Sequence, residues 1–145
     1  MSKVGVLGID FGTTNTNAVW VDRKGQLHLV PVSEKSYCMP SVVWYRSRDK
    51  YVVGATARQQ IVDDPSHTVW GIKRFIGRRY KSNFVQRNRD RLSCELCELE
   101  SGGCGVRIHS HVIPATEVVF HTIQRILELA NVAAGVEFTE CVLTA

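Results

Sequence analysis

Residues Leu7 to Asp22 read LGIDFGTTNTNAVWVD, and the organisation of the whole chain follows from them. Before the turn, residues 3–10 (KVGVLGID) are nearly continuously apolar, the pattern of a strand buried on both faces. After FGTTN the extended pattern resumes over 16–22. Residues 23–25 (RKG) form a hairpin turn, and 26–32 (QLHLVPV) alternate as a third strand, with Pro31 confined to its edge or end. The protein therefore opens on three consecutive antiparallel strands. The first turn carries Gly8, Asp10, Gly12, Thr13, Thr14 and Asn15. Gly12 lets the backbone come close to an anion, and Thr13 and Thr14 offer N–H and hydroxyl donors. Asp10, at the end of a buried strand, needs a cation or donors to offset its desolvation. An aspartate before a hydroxyl-rich hairpin suits Mg²⁺ and phosphate together. The pattern is neither the Gly-Lys-Ser/Thr phosphate loop nor the GxGxxG dinucleotide turn.

Working outward, Pro40 begins a different region. Residues 41–45 (SVVWY) and 51–54 (YVVG) read as short strands around the polar turn RSRDK. Residues 54–64 read as a helix ended by Pro65, 66–80 as loop and short helix, and 82–92 as a short helix. A β-hairpin is expected between Leu92 and Ile113, turning at ESGGC. From Pro114 to Ala134, apolar side chains at Val119, Ile123, Ile126, Leu127, Ala130 and Ala134 follow helical spacing, with proline in the first turn and Gly135 past the end. The last ten residues, VEFTECVLTA, read as another buried strand. A chain that stops inside a core strand suggests a fragment. The fold class is α/β.

The chain has 145 residues, 44% hydrophobic and 22% charged, enough for one domain with a real core. Its longest apolar runs fall far short of the ~20 residues that span a bilayer, and VGVLGI is too short for a signal-peptide core. Five cysteines at irregular spacing argue against a disulfide framework, and a cytosolic, cytoplasmic protein with reduced thiols is expected. The net charge is +4, yet 73–91 alone holds eight basic residues (Lys73, Arg74, Arg78, Arg79, Lys81, Arg87, Arg89, Arg91) and one acid, Asp90. That excess is a solvated basic face or a surface for an anion.

GIDFGTTNTNAVWVD resembles the first phosphate motif of the seventy-kilodalton heat-shock chaperones, members of the actin and sugar-kinase ATPase superfamily. Three further stretches agree in order and spacing. MPSVVWY resembles the family's Pro-Ser-Val-Val strand. VVGATARQQIVDDPSHTVWGIKRFIGRRY resembles the segment carrying its catalytic lysine, and PATEVVFHTIQRILELA with FTECVLTA resembles the helix and strand that follow. The likeness is weakest between Lys81 and His111.

The resemblance implies a ribonuclease-H-like, actin-like first lobe with a mixed sheet, built from residues 1–38 and 115–145, and an inserted smaller α/β subdomain over 39–114. It implies ATP/ADP and Mg²⁺ as cofactors. Asp10 would lie near the Mg²⁺, through water, and Gly12, Thr13, Thr14 and Asn15 would meet the β- and γ-phosphates. Lys73 would stabilise the γ-phosphate and position the attacking water, a role consistent with the cationic demands of phosphoryl transfer. Ser41 would be structural. Asn17, Trp20 and Trp70 depart from residues common in the family and receive no chemistry. The parent protein would hydrolyse ATP to drive conformational change, with unfolded polypeptide clients and co-chaperones as partners and no membrane. The second phosphate motif, the adenosine motif and the peptide-binding domain are not in these residues, so this segment alone is expected to be inactive and to bind ATP weakly.

Two other readings compete. Cys94, Cys97 and Cys104, with His109 and His111, have zinc-like spacing. On a strand, however, Leu92, Cys94 and Leu96 share one face and Cys97 lies on the other, which separates the ligands. A nucleic-acid module on the basic 73–91 segment would need aromatics interleaved on a sheet face or a helix-turn-helix, and neither is legible.

Overall fold

The computed structural model describes residues 5–145. Strand β1 (Leu7–Phe11) is flanked by antiparallel β2 (Asn15–Val21) and by parallel β11 (Cys141–Thr144), and β2 continues to antiparallel β3 (Leu27–Leu29). The two-residue β4 (Met39–Pro40) joins β2 beside its start, completing a five-stranded mixed sheet. The three opening strands are where the sequence places them, and Pro31 falls after β3, where its missing N–H costs no ladder bond. Residues 3–4 of the expected first strand lie outside the described residues.

A second sheet has the order β6-β5-β7, from β5 (Val42–Tyr45), β6 (Tyr51–Val53) and β7 (Thr68–Trp70). Helix α1 (Ala55–Asp63) leaves β6 and ends before Pro65, as proline requires. The expectation of loop and short helix over 66–80 missed β7, which is only three residues long and has too little period to read. A six-residue helix, α2 (Asn83–Asn88), follows, capped by the Ser82 hydroxyl, which accepts from the Val85 N–H at 3.4 Å.

The third sheet is β10-β9-β8, from β8 (Glu95–Glu98), β9 (Cys104–Ile108) and β10 (His111–Pro114). The β8–β9 hairpin turns through Leu99–Gly103, but a further turn at His109 (φ 54) adds a third strand, so the segment is a meander rather than a single hairpin.

Helix α3 (Ala115–Ala134) is the longest element. Pro114 is its N-cap rather than part of its first turn, and Gly135 ends it in the left-handed conformation (φ 66) that glycine adopts without a Cβ penalty. The Asn131 side chain then accepts from the Phe138 N–H at 2.9 Å and turns the chain back. The buried stripe of α3 is Ala115, Val118, His121, Thr122, Ile126 and Ala130, while Val119, Ile123, Leu127 and Ala134 flank it, half-covered.

Two apolar clusters form. One gathers Leu7, Ile9, Ala18, Val30, Ile126 and Ala130 between the first sheet and α3; the other gathers Val43, Tyr45, Val69, Phe75, Val106 and Ile113 between the other two sheets. Helix α3 serves both, through Val118 in one and Ile126 in the other, and Val53 packs against each.

Two burial expectations are corrected. In β1, Leu7, Ile9 and Phe11 are buried but Asp10 is exposed, because α3 covers only one face of the sheet. In β11 all four residues are exposed, Val142 by 58% and Leu143 by 49%. That strand lies at the sheet's end, beyond the cover that α3 gives β1 and β2. No described helix is long and apolar enough to cross a membrane.

Candidate phosphate-binding site

The turn between β1 and β2 is closed by its own backbone, the Gly12 N–H donating to the Asn15 carbonyl at 2.9 Å. A Cβ on Gly12 would stand 2.3 Å from that carbonyl oxygen, so only glycine fits. The turn is pinned from the side by Ser41, just after β4. The Ser41 hydroxyl donates to the Gly12 carbonyl at 2.9 Å and lies 2.8 Å from the buried Thr16 hydroxyl, and the Ser41 N–H donates to the Thr14 carbonyl at 2.9 Å. These bonds engage carbonyls and a side chain; Thr14 is exposed and Thr13 half-buried.

Lys73 comes from a single helical turn (Ile72–Phe75) after β7. Its ammonium donates to the Phe11 carbonyl at 2.8 Å and lies 5.7 Å above the Phe11 ring. The fold thus brings a cation separated by 62 residues to the residue immediately before Gly12. Asp10 accepts from the Thr144 hydroxyl at 3.2 Å, a contact that β11 makes possible by pairing parallel to β1. Asp10 is exposed, which corrects the reading of a lone buried acid.

Beside the turn lies a cavity of about 340 Å³ whose lining includes Thr13, Thr14, Arg58, Trp70 and Arg74. Pro40, Val42 and Ile61 give it apolar walls. Sequence reasoning did not single out Arg58 or Arg74; the one available signal was that Arg74 follows Lys73. Gly12, Thr13, Thr14, Asn15, Asp10 and Lys73 converge on this end of the sheet.

The cysteines do not converge. Cys97 pairs with Gly105 and Cys104 with Glu98 in the β8–β9 ladder, and Cys94, Cys97 and Cys104 are all buried. Leu96 and Cys97, on opposite faces of β8, are both covered. Burial raises all three thiols, Cys94 to about 12, the opposite of what a metal-binding thiolate needs. His109 stacks on His67 with ring centroids 3.9 Å apart, while His111 is exposed. No group of three ligating side chains forms among the described residues, so the zinc reading fails. Of the basic segment, Lys73 is committed to Phe11 and Arg78 stacks on Phe84 at 3.7 Å. Its residues form only short helical pieces, and no reading element for nucleic acid appears among them.

A mixed sheet whose first hairpin turn carries two threonines, met by a lysine from the helical turn after β7, makes this an α/β protein with its polar groups gathered at one sheet end. The chain belongs to the Hsp70 protein family, whose model matches residues 6–145. It is 29% identical over 139 residues to proteins named Chaperone protein DnaK from Burkholderia cenocepacia (strain HI2424) and from Burkholderia orbicola (strain MC0-3). Each alignment covers 96% of this chain and 21% of the relative, so the chain spans about a fifth of the length of these relatives.

Proposed function

We propose that this chain supplies one wall of a chaperone-type ATPase site, with residues 1–38 and 115–145 as a ribonuclease-H-like lobe and 39–114 as an inserted smaller subdomain. The two apolar clusters joined by α3 favour that division. The observation that carries the functional reading is the Lys73 ammonium, held 2.8 Å from the Phe11 carbonyl at the head of the Gly12–Asn15 turn. A half-buried cation beside a donor-bearing turn is suited to an anion whose charge is being redistributed.

The residues present fit MgATP by their donor set. Gly12 admits close approach, Thr13, Thr14 and Asn15 offer N–H, hydroxyl and amide groups, and the exposed Asp10 carboxylate can hold a water on a hard cation. Bound Mg²⁺ would neutralise phosphate charge. Lys73 would exchange its carbonyl acceptor for a phosphate oxygen, and Ser41 would keep the turn from relaxing as it does so. In the cytoplasm, hydrolysis would drive conformational change in the longer protein, with unfolded polypeptides and co-chaperones as partners.

The test is Lys73→Ala in a chain that carries this segment with the rest of the nucleotide-binding domain. Turnover should fall by about 100- to 1000-fold, the cost of one lost charge-stabilising donor. Nucleotide affinity should be largely spared, because most binding contacts would lie outside these residues. Equal losses in both would reassign Lys73 to affinity. Calorimetry of the 145-residue chain with MgATP should give no micromolar binding.

A further inference from the structure

A cavity of about 710 Å³ lies apart from the Gly12–Asn15 turn. It lies between strand β6 and the flank of α3, with Arg46, Lys50, Tyr51, Val53, His121 and Gln124 among its lining. Strand β6 is the outer strand of its sheet. In the β5–β6 ladder, the Arg46 N–H donates to the Lys50 carbonyl and the Gly54 N–H to the Val42 carbonyl. Alternation along an antiparallel strand then turns Lys50, Val52 and Gly54 toward β5, and the backbone N–H and C=O of Tyr51 and Val53 outward. Those outward groups have no hydrogen-bond partner among the described residues, and they border the cavity.

The cavity floor is polar in one specific place. His121 is only 7% exposed, stacks on Tyr51 at 3.9 Å, and its Nδ1 lies 2.8 Å from the Tyr45 hydroxyl. Its Nε2 makes no hydrogen bond among the described residues, although His121 lines the cavity. The charged rim of the cavity is net basic, with Arg46, Lys50 and Arg125 against Asp49 and Glu128. Arg46 lies over the Trp44 ring at 4.9 Å, and Arg46 and Lys50 have no carboxylate partner among the described residues. Arg48 is instead bound by both oxygens of Glu117, and Arg125 by Glu128.

We infer that this cleft is a docking site for an extended acidic peptide segment of a partner protein, which adds as a fourth strand to the free edge of β6. Backbone pairing with Tyr51 and Val53 would supply affinity. Side chains on the outer face would be acidic, opposite Arg46 and Lys50, and those on the inner face would be small or hydroxyl-bearing, within reach of His121 Nε2. The site uses no residue of the phosphate turn and does not depend on the ATPase reading.

Fluorescence anisotropy on the full 145-residue chain tests this, using a fluorescein-labelled peptide Glu-Thr-Glu-Val-Glu. Saturable binding is expected, with none for the same peptide N-methylated at the amides that would pair with β6. None is expected for a peptide in which lysine replaces glutamate. Lys50→Glu should weaken binding roughly tenfold, since it trades an opposite-charge cross-strand pair for a like-charge one. Arg46→Gln should act in the same direction, with unchanged circular dichroism in both variants. No binding by the acidic peptide overturns the inference. So does equal binding of the N-methylated or lysine peptides, or tighter binding of an equally acidic helical peptide.

Discussion

Replacing Gly12 by alanine puts the turn itself to the test. The added Cβ would begin 2.3 Å from the Asn15 carbonyl oxygen and 3.5 Å from its carbon. An ordinary carbon–oxygen contact needs about 3.3–3.6 Å, so the turn must open by about 1 Å. That opening breaks the Gly12–Asn15 bond, worth about 1 kcal/mol, and strains the Ser41 bonds to Gly12 and Thr14. Overpacking adds about 1–3 kcal/mol, giving a total near 2–4 kcal/mol. With a urea slope of about 2 kcal/mol/M, the midpoint should fall by roughly 1–2 M. Thr14→Ala, at an exposed position in the same turn, serves as the control and should move the midpoint by less than about 0.3 M. A Gly12→Ala midpoint as close to the parent as the control's would refute the claim that this turn is sterically closed.

Two further outcomes follow from packing and charge. Ile126, fully buried between α3 and the first sheet, should cost about 2–5 kcal/mol when cut to alanine, whereas Phe120→Ala on the same helix, 58% exposed, should stay within about 0.5 kcal/mol; urea midpoints compare them directly. Burial lowers the His121 pKa below its usual 6.5, so the unfolded chain binds the extra proton first. The stability this contributes is present above about pH 6.5 and declines as pH falls below it, and His121→Gln should flatten that slope in denaturation series between pH 7.5 and 5.5.

How far the sequence could be read depends on the range of the interactions involved. The β1–turn–β2–β3 run and α3 carry their own signals, in the alternation around FGTTN and in the apolar spacing closed by Gly135. Strands β4 and β7 do not, because two or three residues cannot display a period and their pairing is set by Asn15 and Val43 elsewhere in the chain. The choice among the eight basic residues of 73–91 is settled by a long-range contact, Lys73 to Phe11, which only the resemblance picked out. Burial of Asp10 and β11 was misjudged for another reason. Apolar composition reports what a strand can be covered by, and α3 covers only one face of this sheet. His121 was missed because a polar residue on a buried stripe reads as a break until its partner, Tyr45, is known.

Helix α3 has a mechanical consequence. Its first turn is seated in one apolar cluster through Ala115 and Val118 and its second half in the other through Ile126 and Ala130, so it acts as a shaft held at two points. A ligand that rocks the phosphate turn would torque this shaft through β1 and β2, and the far end would have to roll with it. The same rigidity links the two bodies in time: amide exchange along α3 should collapse into one cooperative opening, with Val118 and Ile126 sharing a single protection factor.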